Sequence, residues 1–300
     1  MEKRTFRAVF FDLDGTLLPM DVDVFMKSYF RALGGYVARM GIAPDQFMAG
    51  MKRGITAMAT NDSGHANSES FWPEFLACID MPEGVTAEML LAAIGDFYEN
   101  EFGELGADVE PNPAAARAIE TLAAKGYPLV LATMPMFPRR AVEWRLRWAG
   151  IDPAVFSRIT TFENSTAVKP KPDYYAENLA AAGLEGRDVL MVGNNTKEDL
   201  AACQLGCEGF LVTDFLIDPV GFEVFSVRHG SMDKFADWVD SLPECADPAQ
   251  GVSDAIVPAA ARERVLAASG IADGQAGGAK TLEEAGRSGG TDFVINGMED

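Results

Sequence analysis

The feature that most constrains this chain is a short apolar run that ends abruptly in acidic residues. Residues 6–11 read FRAVFF and are followed directly by Asp12-Leu13-Asp14-Gly15-Thr16. A nearly continuous apolar run of this length is typical of a strand that is buried on both faces of a parallel sheet. Ligands of such sheets bind beyond the carboxyl ends of the strands, so we expect the two carboxylates at a functional edge.

Strand and helix patterns alternate along most of the remaining chain. Residues 21–102 repeat apolar side chains at three- to four-residue spacing, which predicts an all-helical insert. After the insert the pattern predicts strands at 128–133, 158–161, 188–192 and 209–212, and helices at 113–125, 139–149, 173–182, 197–205 and 232–241. This succession predicts an α/β fold, a Rossmann-like, doubly wound parallel sheet with an inserted α-helical cap.

The same patterns divide the chain into three parts. We assign residues 1–19 and 108–244 to the α/β core and residues 20–107 to the helical cap. Residues 245–300 form a C-terminal extension whose Ala, Gly and Ser content predicts partial flexibility. Within the extension, residues 258–268 have a helical pattern, and residues 293–295 are a candidate edge strand.

Charge and composition exclude several classes of protein. Acidic residues outnumber basic ones by 45 to 25, and a net charge of -20 argues against binding nucleic acid or an anionic membrane. No apolar stretch approaches the roughly 20 residues of a membrane-spanning helix. The four cysteines match no disulfide or metal-ligand pattern, and we see no signal peptide. We therefore expect a cytoplasmic protein with reduced thiols.

Three further polar segments follow predicted strands. The strand at 128–132 ends in Thr133 and Met134, and Lys169 opens the segment Lys-Pro-Lys-Pro. The strand at 188–192 leads into Gly193-Asn194-Asn195, with Asp199 shortly after. The carboxylates of Asp12 and Asp14, two residues apart at a strand end, can serve one reaction centre, one as nucleophile and the other in proton transfer.

Taken in order, these four segments resemble the four signatures of the haloacid-dehalogenase-like hydrolases. The resemblance covers roughly residues 6–241 and implies that Asp12 is the nucleophile and Asp14 the general acid and base. It implies that Thr133 and the backbone N–H of Met134 bind a phosphate oxygen of the substrate. Lys169 would bind there too and would stabilise both the nucleophile and the developing negative charge.

The fourth segment departs from the family pattern. Asn194 stands where the family usually has an acid, whereas Asp199 keeps the position of the second acid. Magnesium binds oxygen ligands, so an amide carbonyl can still coordinate it with one fewer negative charge. The resemblance therefore implies a Mg²⁺ site formed by Asp12, the backbone carbonyl of Asp14, and Asp199 or Asn194.

These residues predict a Mg²⁺-dependent phosphomonoester hydrolase that acts on a small phosphorylated metabolite through an aspartyl-phosphate. Three alternatives stay open: a phosphomutase, a metal-independent dehalogenase, and a non-catalytic protein that binds a phosphorylated ligand. Asn194 and Asn195 are similar to a dehalogenase signature, whereas Asp14 speaks against that activity. The sequence does not predict the oligomeric state.

Substrate-contacting residues of the insert cannot be assigned by motif. Basic side chains are candidates for distal substrate groups, although solvated surface positions are the commoner interpretation; they are Lys52, Arg53 and His65. The methionines of the insert are interpreted as core filling; they are Met40, Met48, Met51 and Met58. We expect Lys171 to be exposed to solvent beside Lys169.

Overall fold

A six-stranded parallel sheet forms the centre of the fold, in a computed structural model that describes residues 5–271. Its strands are β1 (Ala8–Phe11), β2 (Leu129–Leu131), β3 (Phe156–Ile159), β4 (Val189–Gly193), β5 (Glu208–Val212) and β6 (Arg228–Gly230). They lie in the order β3-β2-β1-β4-β5-β6, and every pairing is parallel. The order reverses between β1 and β4, which is the kind of position where ligands of doubly wound sheets bind. The predicted fold class is confirmed.

Strand β1 is buried on both faces, as its apolar sequence predicts. Val9 and Phe11 belong to one apolar cluster, and Ala8 and Phe10 belong to a second cluster on the opposite face of the sheet. Each of these side chains is at most 1% exposed. The turn that carries Asp12 and Asp14 is therefore attached to a fully enclosed strand of the sheet.

The segment between β1 and β2 is helical, as predicted. It contains α1 (Val22–Ala38), α2 (Pro44–Ala59), α3 (Asn67–Leu76) and α4 (Ala87–Asn100). The buried side chain of Asn67 at the start of α3 donates hydrogen bonds to the carbonyls of Pro135 and Ala167, both 3.2 Å away. These bonds tie α3 to loops of the sheet. We propose that residues 20–107 form the cap, with the bounds that the sequence predicts.

Helices cover both faces of the sheet. They are α5 (Pro113–Ala124), α6 (Arg139–Trp148), α7 (Pro172–Ala182), α8 (Met232–Asp240) and α9 (Ala259–Ala268). The predicted helix at 197–205 is instead a 3₁₀ helix over Asp199–Leu205, and β6 adds a strand that the sequence pattern does not predict. Among residues 5–271 we find no helix with the length and apolar character that a membrane crossing requires.

The described part of the C-terminal extension packs against the core instead of standing apart from it. The guanidinium of Arg158, fully buried on β3, donates to the carbonyls of Ser253 and Ala255 at 2.9 Å. Arg262 on α9 pairs with Asp173 on α7 at 3.2 Å. Residues 245–271 therefore contact the core through polar groups, and α9 matches the helix predicted at 258–268. Residues 293–295 lie outside the described residues.

Ending the chain at Val252 should destabilise the core. The shorter chain leaves the buried Arg158 guanidinium without two of its acceptors, and breaking a buried charged contact costs about 3–5 kcal/mol. A chain ending at Ile271 is the matched control, because it keeps every contact given above. Urea unfolding of both chains measures the difference, and equal midpoints would contradict a structural role for residues 253–271.

Candidate active site

The predicted site residues meet at the carboxyl ends of β1, β2 and β4. A cavity of about 170 Å³ opens there beneath the cap. Polar and charged side chains lie at its floor, namely Asp12, Asp14, Thr133, Arg145, Asn194, Asn195, Glu198 and Asp199. The cavity lies at the switch point of the sheet, where Phe11 of β1 pairs with Val192 of β4. Parallel pairing of these two strands places the first and fourth segments side by side.

A tight turn at Gly15 brings the first segment against the fourth. Gly15 has a φ of +78°, a left-handed conformation that favours glycine. A Cβ atom at this position would lie 2.3 Å from Nδ2 of Asn194, so a larger residue would clash there. The glycine therefore allows both the turn and the close approach of Asn194.

Lys169 is the central cation of the site. Its Nζ lies 2.7 Å from Oδ1 of Asp12 and 2.7 Å from Oδ1 of Asp199, and its side chain is 1% exposed. Burial opposes the charge of Lys169, but the two carboxylates outweigh burial and hold the pKa of Lys169 well above its ordinary value. Burial raises the pKa of Asp199, and Lys169 opposes that rise. One ammonium group thus contacts two carboxyl groups from distant parts of the chain.

Asp199 uses both of its carboxylate oxygens within the protein. Oδ1 accepts from Lys169, and Oδ2 accepts from the backbone N–H of Asn195 at 2.9 Å. Gly193 permits this packing, because a Cβ atom there would lie 2.2 Å from Cγ of Asp199. These contacts favour Asp199 as the residue that holds Lys169 and do not favour it as a direct metal ligand.

Asp14 pairs with an arginine that the sequence motifs do not reveal. The side chain of Arg145, 2% exposed on α6, forms an ion pair with Oδ2 of Asp14, and its guanidinium carbon lies 4.5 Å from the centroid of the Phe137 ring. Burial raises the pKa of Asp14, and the Arg145 guanidinium opposes the rise. Within the described residues, Oδ1 of Asp14 and Nη2 of Arg145 are buried without a hydrogen-bond partner. Both atoms are thus available to a substrate or to water.

Thr133 and Met134 lie where the second segment predicts them. The carbonyl of Thr133 accepts hydrogen bonds from the hydroxyl of Tyr174 at 2.7 Å and from that of Thr160 at 2.8 Å. These bonds fix the backbone just after β2. Both Thr133 and Met134 line the cavity, so the predicted phosphate contacts are sterically available.

Asn194 directs its carbonyl oxygen toward Asp12. The Thr16 hydroxyl lies 3.0 Å from Oδ1 of Asn194 and 3.2 Å from Oδ2 of Asp12, while Nδ2 of Asn194 donates to the carbonyl of Phe215 at 2.6 Å. Both oxygen atoms contact the same hydroxyl and therefore lie near each other. Magnesium binds oxygen ligands of this kind. Among residues 5–271, no group of three or more His, Cys, Asp or Glu side chains is arranged to hold a metal ion. A metal here would therefore depend on amide or backbone oxygens.

The cavity floor carries more carboxyl groups than cations. Four carboxyl groups, those of Asp12, Asp14, Glu198 and Asp199, face two cations, Lys169 and Arg145. When all are ionised, two negative charges remain. Burial raises the pKa of Glu198 to about 8, and Lys169 opposes this rise. Glu198 is a further acid that the motifs do not single out.

Comparison with known proteins identifies the family. The profile of the haloacid dehalogenase-like hydrolases matches residues 6–205, two thirds of the chain. The chain belongs to this family. The resemblance inferred from the four segments is thereby confirmed, and the chain is a hydrolase by membership.

Individual relatives of this hydrolase are similar over only part of the chain or at low sequence identity. A phosphoglycolate phosphatase of Haemophilus influenzae (strain 86-028NP) is 36% identical over 95 residues, which cover 32% of this chain and 41% of that protein. A 2-haloacid dehalogenase structure from Pseudomonas syringae pv. tomato DC3000 has a TM-score of 0.52 at 17% identity and covers 79% of this chain and 99% of its own. A predicted phosphoglycolate phosphatase structure from Haemophilus somnus 129PT has a TM-score of 0.46 at 17% identity over the same shares. Identity at this level shows a shared fold only.

The structure also shows where the remaining candidate residues lie. The basic residues proposed for substrate contact do not line the cavity: Arg53 bonds to Glu74 at 3.0 Å, and Lys52 and His65 are exposed. Lys171 is half-buried and donates to the carbonyl of Asn61 at 3.0 Å, so it does not simply face solvent. Met51 lines the cavity in addition to filling the core.

Replacing Lys169 by Met should destabilise the protein by about 3–5 kcal/mol at neutral pH, because two buried carboxylates lose their cation. The deficit should shrink as the pH falls. Without Lys169, the cation that opposes the burial-raised pKa of Asp199 is lost, so protonation of this carboxyl group in acid relieves part of the deficit. Urea unfolding at pH 7.5 and pH 5 measures both effects.

Lys171→Met is the matched control for this substitution. Lys171 is half-buried and has one hydrogen bond to a backbone carbonyl, so its loss should cost only about 1 kcal/mol. Equal losses for the two variants, or a Lys169→Met deficit that does not change with pH, would contradict the role assigned to Lys169.

Proposed function

We propose that the chain is a Mg²⁺-dependent phosphomonoester hydrolase that acts on a small phosphorylated molecule through an aspartyl-phosphate on Asp12. One observation carries the proposal. The Asp12 carboxylate sits at a strand end with the ammonium of Lys169 2.7 Å away, in a cavity that also holds the carboxyl group of Asp14. One carboxylate can attack phosphorus while the other transfers the proton.

Binding of the phosphoryl group would use the residues just after β2 and the cation beside Asp12. The Thr133 hydroxyl and the Met134 backbone N–H would donate to one phosphoryl oxygen, and Lys169 would offset charge on another. The 2.7 Å contact with Lys169 holds the Asp12 carboxylate in place for attack on phosphorus, opposite the leaving oxygen. The P–O bond to Asp12 forms as the bond to the leaving group breaks.

Asp14 would transfer protons in both half-reactions. Its pKa is raised by burial, which favours the protonated acid needed to protonate the leaving oxygen. The carboxylate that remains is stabilised by its ion pair with Arg145. That carboxylate then takes a proton from water as the water attacks phosphorus, which releases phosphate and restores Asp12.

The metal site is part of the proposal. Asp12, the backbone carbonyl of Asp14 and the amide carbonyl of Asn194 would hold Mg²⁺, with Asp199 close by as the partner of Lys169. When bound, Mg²⁺ would withdraw charge from the phosphoryl oxygens. These oxygen atoms are the type of ligand that Mg²⁺ prefers.

Similarity to a phosphoglycolate phosphatase over 95 residues supports a phosphatase, although it spans less than half of that protein. A dehalogenase is the second candidate, because an amide replaces the usual acid at position 194. Such an enzyme attacks carbon and needs no leaving-group acid. Asp14 is buried and paired with Arg145 in a position to serve as such an acid, which favours phosphoryl transfer.

Two assays separate the candidates. The first measures hydrolysis of a generic aryl phosphate with Mg²⁺ and with EDTA, and the second measures halide release from 2-haloacids without metal. We expect turnover that EDTA removes and that Asp12→Asn lowers by about 10³-fold or more, because the nucleophile is lost. Asp14→Asn should lower it by about 10²- to 10⁴-fold. The exposed Asp62→Asn is the matched control and should be unchanged. Halide release without metal, or full phosphatase activity in Asp12→Asn, would refute the proposal.

A further inference from the structure

The upper part of the cavity has an apolar lining. Above the carboxylates, the cap contributes aromatic and aliphatic side chains to the wall, among them Met26, Leu33, Ile55, Phe71, Trp72 and Phe75. They come from three helices, α1, α2 and α3. Most of these side chains are at most 5% exposed, so the wall is part of the packed cap. A leaving group attached to a phosphoryl group at Asp12 would project toward this wall.

Cap residues that line the cavity carry no charge in the part of the chain that the structure describes. The two tyrosine hydroxyls among them, those of Tyr29 and Tyr98, are 2.6 Å apart and bond to each other. Burial raises the pKa of Tyr29 to about 12, as expected in a water-poor environment. A substrate hydroxyl or second anion would therefore find few polar partners on the cap side.

The cation on the core side is shared with Asp14 and keeps one donor, Nη2, without a partner among the described residues. Arg145 lines the cavity, but its charge is balanced by the Asp14 carboxylate. A second anion on the substrate would share this guanidinium with Asp14 and would lie near the carboxyl group of Asp199 as well. Like charges at such short range oppose binding in a buried site.

The size of the cavity limits the leaving group. Its volume of about 170 Å³ is close to that of an apolar protein cavity of about 150 Å³ that accepts benzene. The space that lies above the phosphoryl position suits a branched aliphatic group or a single ring. Polar groups of a substrate placed there would lose water without gaining hydrogen bonds.

We propose that the substrate is a phosphomonoester with a compact apolar leaving group, and not a sugar phosphate or an ester with a second anionic group. This inference rests on the proposed phosphomonoesterase activity and names its substrate class. Its basis is the contrast between the charged floor of the cavity and the uncharged apolar wall that the cap supplies.

A matched pair of esters tests the substrate class on the full chain with Mg²⁺. Propyl phosphate and glycerol 3-phosphate have the same heavy-atom skeleton apart from two hydroxyls. We expect kcat/KM to be about 100-fold higher for propyl phosphate, since an apolar pocket discriminates by about this factor against an added hydroxyl. Phosphoglycolate should be as poor as glycerol 3-phosphate or poorer. Equal or reversed preference would overturn the inference.

Isosteric substitutions in the wall provide a second test. Met26→Gln and Met51→Gln place an amide in the cavity lining and should reduce the preference for propyl phosphate about tenfold. Met89→Gln is the matched control, because Met89 is 49% exposed on α4 and lies outside the cavity, so the preference should stay unchanged. A preference that neither cavity variant alters would contradict the assignment of this wall.

Calorimetry with non-hydrolysable phosphonates separates failure of this inference from failure of the proposed function. If no ester is hydrolysed, the proposed activity is wrong, and binding alone then decides the character of the cavity. Benzylphosphonate binding at least about tenfold tighter than phosphonoacetate would support an apolar ligand group. Equal affinities, or tighter binding of phosphonoacetate, would overturn it.

Discussion

The contact of Lys169 with two carboxylates is the interaction on which the site depends. Lys169 is 157 residues from Asp12 and 30 from Asp199, yet its ammonium lies 2.7 Å from both. This geometry arises only when β1 and β4 are neighbours in the sheet, because Asp12 follows β1 and Asp199 belongs to the segment after β4. Three buried ionisable groups would be unstable separately, and together they define the catalytic end of the sheet.

Local charge balance would allow so acidic a chain to bind the anionic substrate that we propose. A net charge of -20 repels phosphate esters at long range. At the cavity floor, Lys169 offsets Asp12 and Asp199, and Arg145 offsets Asp14. The cap adds no charge to the described cavity lining, so under our proposal the chemistry belongs to the floor and the selection of the leaving group to the wall.

The sequence predicts most of the fold and the strand-end residues, since both follow from apolar strands that end in polar loops. Asp12, Thr133 and Lys169 were found in this way. Strand β6 was missed because Arg228-His229-Gly230 has no apolar pattern. Arg145 was missed because its partner lies 131 residues away. Its one signal is an arginine among the buried residues of α6, beside Ala141, Val142 and Leu146.

In the cap, sequence patterns predict the helices but do not predict which buried side chains face the cavity. Apolar periodicity predicts its helices, but a buried side chain that packs against protein and one that faces a cavity have the same pattern. Met51 belongs to the core and to the cavity wall at once. The basic residues of the cap attract attention as substrate contacts, yet Arg53 is bound to Glu74 outside the cavity.

The central claim is that Asp12 accepts the phosphoryl group. Acid quenching during the first turnover, followed by peptide mass mapping, measures this directly. We predict phosphate on the peptide that contains Asp12, formed before free phosphate and absent when Asp12 is replaced by Asn. Release of phosphate with no covalent phosphopeptide at any time, or with phosphate on another residue, would contradict the account.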